Sequence, residues 1–280
     1  MFIMKKMFLS VIALSLIFFL SGCSKSSDSE GPGRLSIKVT DAPFSIENIE
    51  SAWVTINKIE IRRTGDGIPD GNPFMTIYEE PVSLNLLELR NGVTETLAEI
   101  EIPQGSYNLL RLYVDEASLV LKDNEGSFNV KVPSGQATGI KIFIRPEVKV
   151  EGGLTSELLI DFDLSRSFIL RGNPESPAGI DGFIFKPVIR AVNNTTAGRI
   201  EGKVTNTDEE MLPDAEIWIE QDSVISTTYT DNSGQYVLPG IPAGSYSVFA
   251  TKENHDTVSY SGIEISEGNR TICDFILTEI

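Results

Sequence analysis

The segment SAWVTINKIEIRR, residues 51–63, decides the fold class of this chain. Valine and isoleucine at 54 and 56 alternate with polar residues, and isoleucines at 59 and 61 do the same, as in strands with one buried face. Ile59 follows Ile56 by three positions, so the two pairs fall on opposite faces of a regular strand. We therefore predict one long strand with a β-bulge at Asn57–Lys58, which turns both pairs toward the same core.

Similar short runs continue on both sides of this segment. Each is apolar or alternating and ends near Gly, Pro, Asn or Asp, which is typical of strands joined by turns. The other candidates before residue 193 are RLSIKVT (34–40), FMTIY (74–78), SYNLLRLYV (106–114), SFNVKV (127–132), GIKIFI (139–144), ELLIDFDL (157–164) and GFIFKPVIRAV (182–192). Only residues 46–50 and 84–90 indicate a short helix. This pattern predicts an all-β chain of two β-sandwich domains in tandem.

The N-terminus has the pattern of a secretory signal. Lys5 and Lys6 precede an apolar run, residues 7–20, that is shorter than the roughly 20 residues needed to cross a bilayer comfortably. The next motif, Leu20-Ser21-Gly22-Cys23, resembles the lipobox of bacterial lipoproteins, in which the cysteine thiol receives a diacylglycerol and the chain is cut before it. The resemblance implies a signal peptide at 1–22 and a lipid on Cys23 that attaches the chain to a membrane. An ordinary signal peptide with a chance cysteine is the alternative.

Residues 23–33 are expected to form a flexible tether, because SKSSDSEGPG (24–33) is polar and poor in apolar residues. Ser24 stands where an aspartate in such lipoproteins would imply retention in the inner membrane, so the resemblance implies the cell outer membrane. Asp28 and Glu30 loosely resemble the acidic tethers of surface-exported lipoproteins. Surface and periplasmic orientations both stay open.

Charge and cysteine content narrow the function further. The 280-residue chain has a net charge of −17, and removing residues 1–22, which hold two lysines and no acid, would leave −19. Such a surface repels phosphate backbones, so nucleic acid is excluded as a partner. A lipid on Cys23 would leave Cys273 alone, without an intramolecular disulfide. Cys273 alternates with apolar residues in TICDFIL, which predicts a buried core thiol.

The polar segment 193–197 divides the chain into residues 34–192 and 198–280. The second part carries GKV (202–204), LPDAEI (212–217), TDNSGQY (230–236) and IPAGSY (241–246), and it resembles the carboxypeptidase regulatory-like domain, a transthyretin-like β-sandwich. In TDNSGQY, Asp231 is suited to accept backbone hydrogen bonds and Gly234 to adopt positive φ. The resemblance implies architecture and no peptidase activity, and the wider fold group is linked to carbohydrate binding.

The first part also resembles a known family. VTDAP (39–43), VTINKIE (54–60) and LLIDFDLSRSF (158–168) are similar to DUF4382, a lipoprotein domain family that brings no established activity. IPQGSY (102–107) repeats IPAGSY (241–246) at all but one position, which predicts the same turn in both domains.

No catalytic constellation, cofactor motif or dinucleotide fingerprint is present in the sequence. The single histidine, His255, lies in the loop KENHDT and is expected to be solvated. Asp161 and Asp163 share one strand face and could act as a glycosidase acid pair, although anchoring of turns or neighbouring backbone is the favoured interpretation. Asp66, Asp70 and Asn72 form a weak calcium candidate, for which a Gly/Pro turn is the favoured alternative.

Trp218 and Tyr229 are the candidate ligand-binding residues. If Ala215, Ile217 and Ile219 face the core, Trp218 points outward, and a turn at Asp222–Ser223 would pair Gln221 with Val224, Trp218 with Thr227 and Glu216 with Tyr229. The two aromatic rings would then be diagonal neighbours able to stack on a sugar or a protein partner. Burial against the first domain is the alternative.

These observations predict an envelope-anchored, non-catalytic binding or display module, with carbohydrate binding or adhesion as its activity and a glycan or an envelope protein as partner. A passive spacer or assembly partner in an envelope complex is the first alternative. An enzyme that uses Asp161 and Asp163 is the second.

Overall fold

Strands make up nearly all of the regular structure. The computed structural model describes residues 31–42, 49–65, 73–122, 126–130, 132, 137–173 and 179–280. Cys23, Asp66, Asp70 and Asn72 lie outside these described residues. Within them the helices are short, namely α1 (Leu164–Ser167) and a 3₁₀ turn at Leu86–Glu88, and no helix is long and apolar enough to cross a membrane. The predicted all-β class is confirmed.

The N-terminal domain is built on a ten-stranded sheet. Ten strands of the domain form this sheet, and β10 and β11 form a separate hairpin. The strands are β1 (Gly33–Ala42), β2 (Ile49–Thr64), β3 (Phe74–Tyr78), β4 (Val82–Asn85), β5 (Glu95–Ile102), β6 (Gly105–Leu121), β7 (Ser127–Val130), β8 (Ile140–Val150), β9 (Thr155–Asp163), β10 (Phe168–Asn173), β11 (Gly179–Phe185) and β12 (Ile189–Asn193). The order is β3-β2-β6-β8-β12-β9-β1-β5, with β4 beside β2 and β7 beside β6. β1 runs parallel to β9, and β12 runs parallel to β8.

Each strand candidate of this domain falls on an observed strand, but β4, β5 and β10 were not predicted. The predicted segment 182–192 divides into β11 and β12 around Lys186–Val188. The helix predicted at 46–50 is wrong for its last two residues, because Ile49 and Glu50 begin β2, where Ile49 pairs with Leu121. The helix predicted at 84–90 is limited to the 3₁₀ turn.

The bulge predicted in β2 is present. Pairing with β6 shifts between Ile56 and Lys58, which leaves Asn57 outside the register. Ile56 and Ile59 are both fully buried, as are their neighbours at 54 and 61. The single extra residue therefore keeps four large apolar side chains in one core, each of which stabilises the fold by about 1.5–3 kcal/mol.

The C-terminal domain consists of two four-stranded sheets. Its strands are β13 (Gly198–Asn206), β14 (Glu216–Glu220), β15 (Val224–Tyr229), β16 (Gln235–Ile241), β17 (Gly244–Thr251), β18 (Val258–Ile265), β19 (Arg270–Ile272) and β20 (Phe275–Leu277). One sheet has the order β16-β13-β19, with β20 also beside β13, and the other has the order β15-β14-β17-β18. Cys273 is a free, buried thiol whose pKa is raised by burial, as the alternation in TICDFIL predicts.

Turn residues of this domain behave as their chemistry predicts. The Asp231 carboxylate accepts the backbone N–H groups of Ser233 (2.8 Å) and Gln235 (3.0 Å), and Gly234 has a φ of 70°. The repeated IPxGSY motif forms the same contact twice. The Tyr107 hydroxyl donates to the Pro103 carbonyl at 2.7 Å, and the Tyr246 hydroxyl donates to the Pro242 carbonyl at 2.8 Å.

Candidate functional site

The outer face of the β15-β14-β17-β18 sheet carries the predicted tryptophan. Ile217 and Ile219 are fully buried in the core, and Trp218 between them points to the other face and is half-buried. The register pairs Trp218 with Thr227 and Glu216 with Tyr229, as predicted. The predicted pairing of Gln221 with Val224 is wrong, because an irregularity after Ile219 brings Glu220 opposite Val224.

Phe249 completes this face and was missed in the sequence. It lies directly across from Trp218 on β17, and the two rings are parallel within 3°, with centroids 4.9 Å apart. Tyr246, Val248 and Ala250 alternate with it and are buried, so the period of β17 contained the signal. We call Trp218, Phe249 and Tyr229 the aromatic face.

The surroundings of the aromatic face are polar. The hydroxyls of Ser247 and Ser261 lie 3.0 Å apart on the neighbouring strands β17 and β18. Glu216 is half-buried beside Tyr229, and burial raises the pKa of its carboxyl. The face thus joins an apolar aromatic surface to hydroxyl and carboxyl groups, a combination that suits ligands with both C–H and O–H edges.

The predicted acid pair is engaged in structural contacts. Asp161 is buried, and its Oδ2 accepts hydrogen bonds from Arg190 Nη2 (2.6 Å), Arg190 Nε (3.2 Å) and Ser226 Oγ (3.3 Å). Burial raises the pKa of Asp161, and the Arg190 guanidinium opposes that rise. Asp163 caps α1, accepting the Arg166 N–H at 3.0 Å, and also forms an ion pair with the Arg166 side chain. These contacts match the anchoring interpretation of the pair.

A third aspartate lies close to these two, on β1. Asp41 is buried, accepts the Leu164 N–H at 3.4 Å, and leaves its Oδ2 without a hydrogen-bond partner. Burial and the nearby Asp161 carboxylate raise the pKa of Asp41 well above its ordinary value. Sequence reasoning missed Asp41, because its place beside Asp161 depends on the parallel pairing of β1 with β9.

Asp161 belongs to the junction between the two domains, which lie in one compact unit, Gly31–Ile280. Besides binding Asp161, Arg190 donates from Nη1 to the Gly240 carbonyl at 2.6 Å. Asn91 accepts the Val237 N–H at 2.6 Å and donates to the Gln235 carbonyl at 3.2 Å. The contacts of Arg190 and Asn91 lie on β16, and the Asp161–Ser226 hydrogen bond lies on β15, so one edge strand of each C-terminal sheet contacts the N-terminal domain. A cavity of about 290 Å³ lies beside them, lined by Asp161, Asp163, Arg166, Val188, Ile189, Arg190, Ser223, Val224, Ile225 and Ser226.

His255 belongs neither to the aromatic face nor to the group of aspartates at the domain junction. Its Nδ1 lies 2.9 Å from the Glu253 carbonyl, and its backbone bridges to Glu279 near the C-terminus. Across the described ranges, no group of three or more His, Cys, Asp or Glu side chains is placed to hold a metal ion. The segment 66–72 is not covered by that statement.

The fold and these sites define a class of all-β protein with a large mixed sheet joined to a β-sandwich that bears an aromatic outer face. Residues 32–187 match the domain of unknown function DUF4382, and residues 199–278 match the carboxypeptidase regulatory-like domain. The chain belongs to the DUF4382 family, with a carboxypeptidase regulatory-like domain following. No curated protein matches the chain.

Several solved structures show a distant likeness. A protein from Bacteroides uniformis described as carbohydrate binding is 17% identical over 29% of this chain and 41% of its own, with a TM-score of 0.26. This chain therefore spans about two fifths of that protein. The minor pilin GBS52 of Streptococcus agalactiae is 8% identical over 88% of this chain and 96% of its own, with a TM-score of 0.25. The shaft pilin SpaA of Lactobacillus rhamnosus GG is 8% identical over 89% and 98%, with a TM-score of 0.27. At these scores none of them supports an inference about function.

Proposed function

We propose that this protein is an envelope-anchored lipoprotein that acts as a non-catalytic binding and display module, with a glycan as the ligand of its aromatic face. The observation that carries the proposal is the parallel Trp218–Phe249 pair, half-buried on the outer side of a sheet whose inner side forms the core. An aromatic surface of this kind stacks against the C–H face of a sugar, while Ser247 and Ser261 offer hydroxyls within the same sheet. The net charge of −17 favours a neutral glycan over an acidic one.

A glycan array tests the aromatic face. The complete chain should retain specific glycans, and Trp218→Ala should weaken that retention about tenfold or more, because the stacking surface is removed. Phe143→Ala removes another ring, 55% exposed on β8, and serves as the matched control that keeps binding. Unchanged glycan retention in Trp218→Ala would refute the proposal for this face.

The anchor rests on Leu20-Ser21-Gly22-Cys23 and on the polar segment that follows it. We propose the cell outer membrane as the location, with the described domains outside the inner membrane. Cys23→Ser should abolish metabolic labelling with palmitate and move the protein from the membrane to the soluble fraction, since only a thiol forms the thioether. Continued labelling of Cys23→Ser would exclude this cysteine as the lipid site.

A non-catalytic role agrees with the state of the acid pair, because Asp161 and Asp163 are held by arginines and backbone groups. An enzyme that used them would lose turnover in Asp163→Asn while keeping its fold. We expect no hydrolysis of glycans by either protein, and only a small loss of stability in Asp163→Asn, because asparagine can still cap α1 and only the ion pair with the half-exposed Arg166 is removed.

A spacer or assembly role is the second candidate, and the domain junction favours it. Arg190 and Asn91 tie β16 to the N-terminal domain, and Asp161 ties β15 to it through Ser226, so the two domains are held in a defined relation. A spacer would bind no glycan on the array but would co-purify with one envelope protein after cross-linking in cells.

A further inference from the structure

Trp53 is the most exposed tryptophan of the chain and has no part in the function proposed above. It lies on β2 between Ala52 and Val54, which are fully buried, and 41% of its own surface is exposed on the outer face of the sheet. The indole Nε1 donates to Ser51 Oγ at 3.1 Å. This hydrogen bond satisfies the indole N–H and fixes the ring, so its apolar face is presented in one orientation.

Polar side chains surround this ring on the neighbouring strands. Trp53 pairs with Asn85 on β4 and with Ser118 on β6, and Ser118 pairs in turn with Asn129 on β7. One step along β2, Thr55 lies between Ser83 and Glu116 and shares a 2.8 Å hydrogen bond with the Ser83 hydroxyl. Adjacent strands are about 4.8 Å apart, so these hydroxyl, amide and carboxylate groups lie one or two strands from the indole.

A recess adjoins this row of side chains. β7 pairs with residues 117–120 of β6, and β8 pairs with residues 105–112, so among the described strands neither partner covers residues 113–116. A cavity of about 200 Å³ lies at this gap, lined by Asp115, Glu116, Ala117, Ser118, Asn129, Val130 and Val132. Three of the polar side chains that accompany Trp53 thus also line a concave site.

We propose that Trp53 and this recess form a second saccharide-binding site, on the N-terminal domain, that takes a neutral sugar. The C–H face of a pyranose ring stacks on the indole, and its hydroxyls bond to Ser118, Asn129 and Glu116 in the recess. A protein partner would require an apolar interface centre, whereas the cross-strand neighbours of Trp53 are polar. Glu116 and the net charge of −17 repel nucleic acids and acidic polysaccharides.

The chain has two tryptophans, so each site can be observed alone by fluorescence. Trp218→Phe leaves Trp53 as the sole indole, and Trp53→Phe leaves Trp218. The complete chain with Trp218→Phe is titrated with cellohexaose, maltohexaose, xylohexaose and chitohexaose. We expect a saturable change in emission with at least one of them, and binding about tenfold weaker after Ser118→Ala and Asn129→Ala are added.

Calorimetry of the otherwise unchanged chain completes the test. Trp53→Ala should lose this binding and lower the thermal unfolding temperature by only a few degrees, because 41% of the side chain is exposed and the core residues on either side of it are unchanged. Phe143→Ala is the control and should bind normally, since Phe143 pairs with Leu109, nine residues and about 30 Å along β6 from Ser118. A Trp218→Phe protein whose emission responds to none of the four sugars, or a Trp53→Ala protein that binds as the wild type does, overturns the proposal. The Trp53→Phe protein reports the aromatic face separately, so either site can fail without the other.

Discussion

Replacing Arg190 with methionine should break the junction between the two domains. The guanidinium makes two hydrogen bonds to Asp161 and one to the Gly240 carbonyl, and the side chains of Arg190 and Asp161 are 23% and 6% exposed. Removing one partner of a buried ion pair costs about 3–5 kcal/mol. Because solvent reaches part of Arg190, we expect a loss of about 2–3 kcal/mol, which lowers the urea midpoint by about 1 M for a chain of this size.

The stability lost in Arg190→Met should depend on pH, because Asp161 is titratable and loses its ion-pair partner in this variant. Burial raises the pKa of Asp161 in the wild type, and removing the opposing guanidinium raises that pKa further. The folded state of Arg190→Met then binds a proton that the unfolded state releases, so its deficit grows as pH rises through the raised pKa. Below the ordinary aspartate range both states are protonated, and the deficit from the uncompensated carboxylate disappears.

Urea unfolding followed by fluorescence provides the assay, with Trp53 reporting the N-terminal domain and Trp218 the C-terminal domain. Arg199→Met is the control, because its ion pair with Glu201 is on the surface and is worth about 0–1 kcal/mol. Adding Asp161→Asn to Arg190→Met should recover part of the stability, since the uncompensated charge is removed. Arg190→Met unfolding at the same midpoint as Arg199→Met would refute this account of the junction.

Three further predictions follow from single contacts. Asp41→Asn should stabilise the protein at pH 7 and lose that advantage as pH falls from the raised pKa of Asp41 toward the ordinary aspartate range, because burial raises this pKa; unfolding at pH 7 and pH 4 measures both. Tyr107→Phe and Tyr246→Phe should each cost about 1 kcal/mol in urea unfolding, and unequal losses would argue against equivalent turns. Gly240→Ala should lower the melting temperature more than Gly262→Ala, because both have positive φ but only a Cβ at 240 meets Leu159 (2.7 Å) and Val192 (2.9 Å).

Local patterns predicted much of the fold because the information lies within a few residues. Alternation located most strands, and the switch of apolar face between Ile56 and Ile59 located the bulge. Two of the three strands that were missed have weak patterns: β4 is four residues long, and β5 carries glutamates on its exposed side at the sheet edge. For such strands, pairing with a neighbour decides the conformation.

The candidate sites were predictable only in part. The orientation of Trp218 followed from its own strand, since Ile217 and Ile219 are core residues. Its partner Phe249 is 31 positions away and becomes a neighbour through the pairing of β14 with β17. For Asp161 and Asp163 the sequence favoured anchoring but left catalysis open, because a carboxylate pair on one strand is compatible with either role until its partners are known.

By itself the sequence determined the all-β class, the bulge in β2, the two IPxGSY turns and the buried position of Cys273. Each of these depends on strand periodicity or on a turn residue acting on nearby backbone, so local chemistry is sufficient. Tertiary structure alone decided that Arg190 meets Asp161 with Asp41 close by, that β15 and β16 contact the N-terminal domain, and that Trp53 stands among polar groups from three other strands. Those features depend on strand order and register. Order and register are fixed only when the apolar face of each sheet is buried in the folded domain.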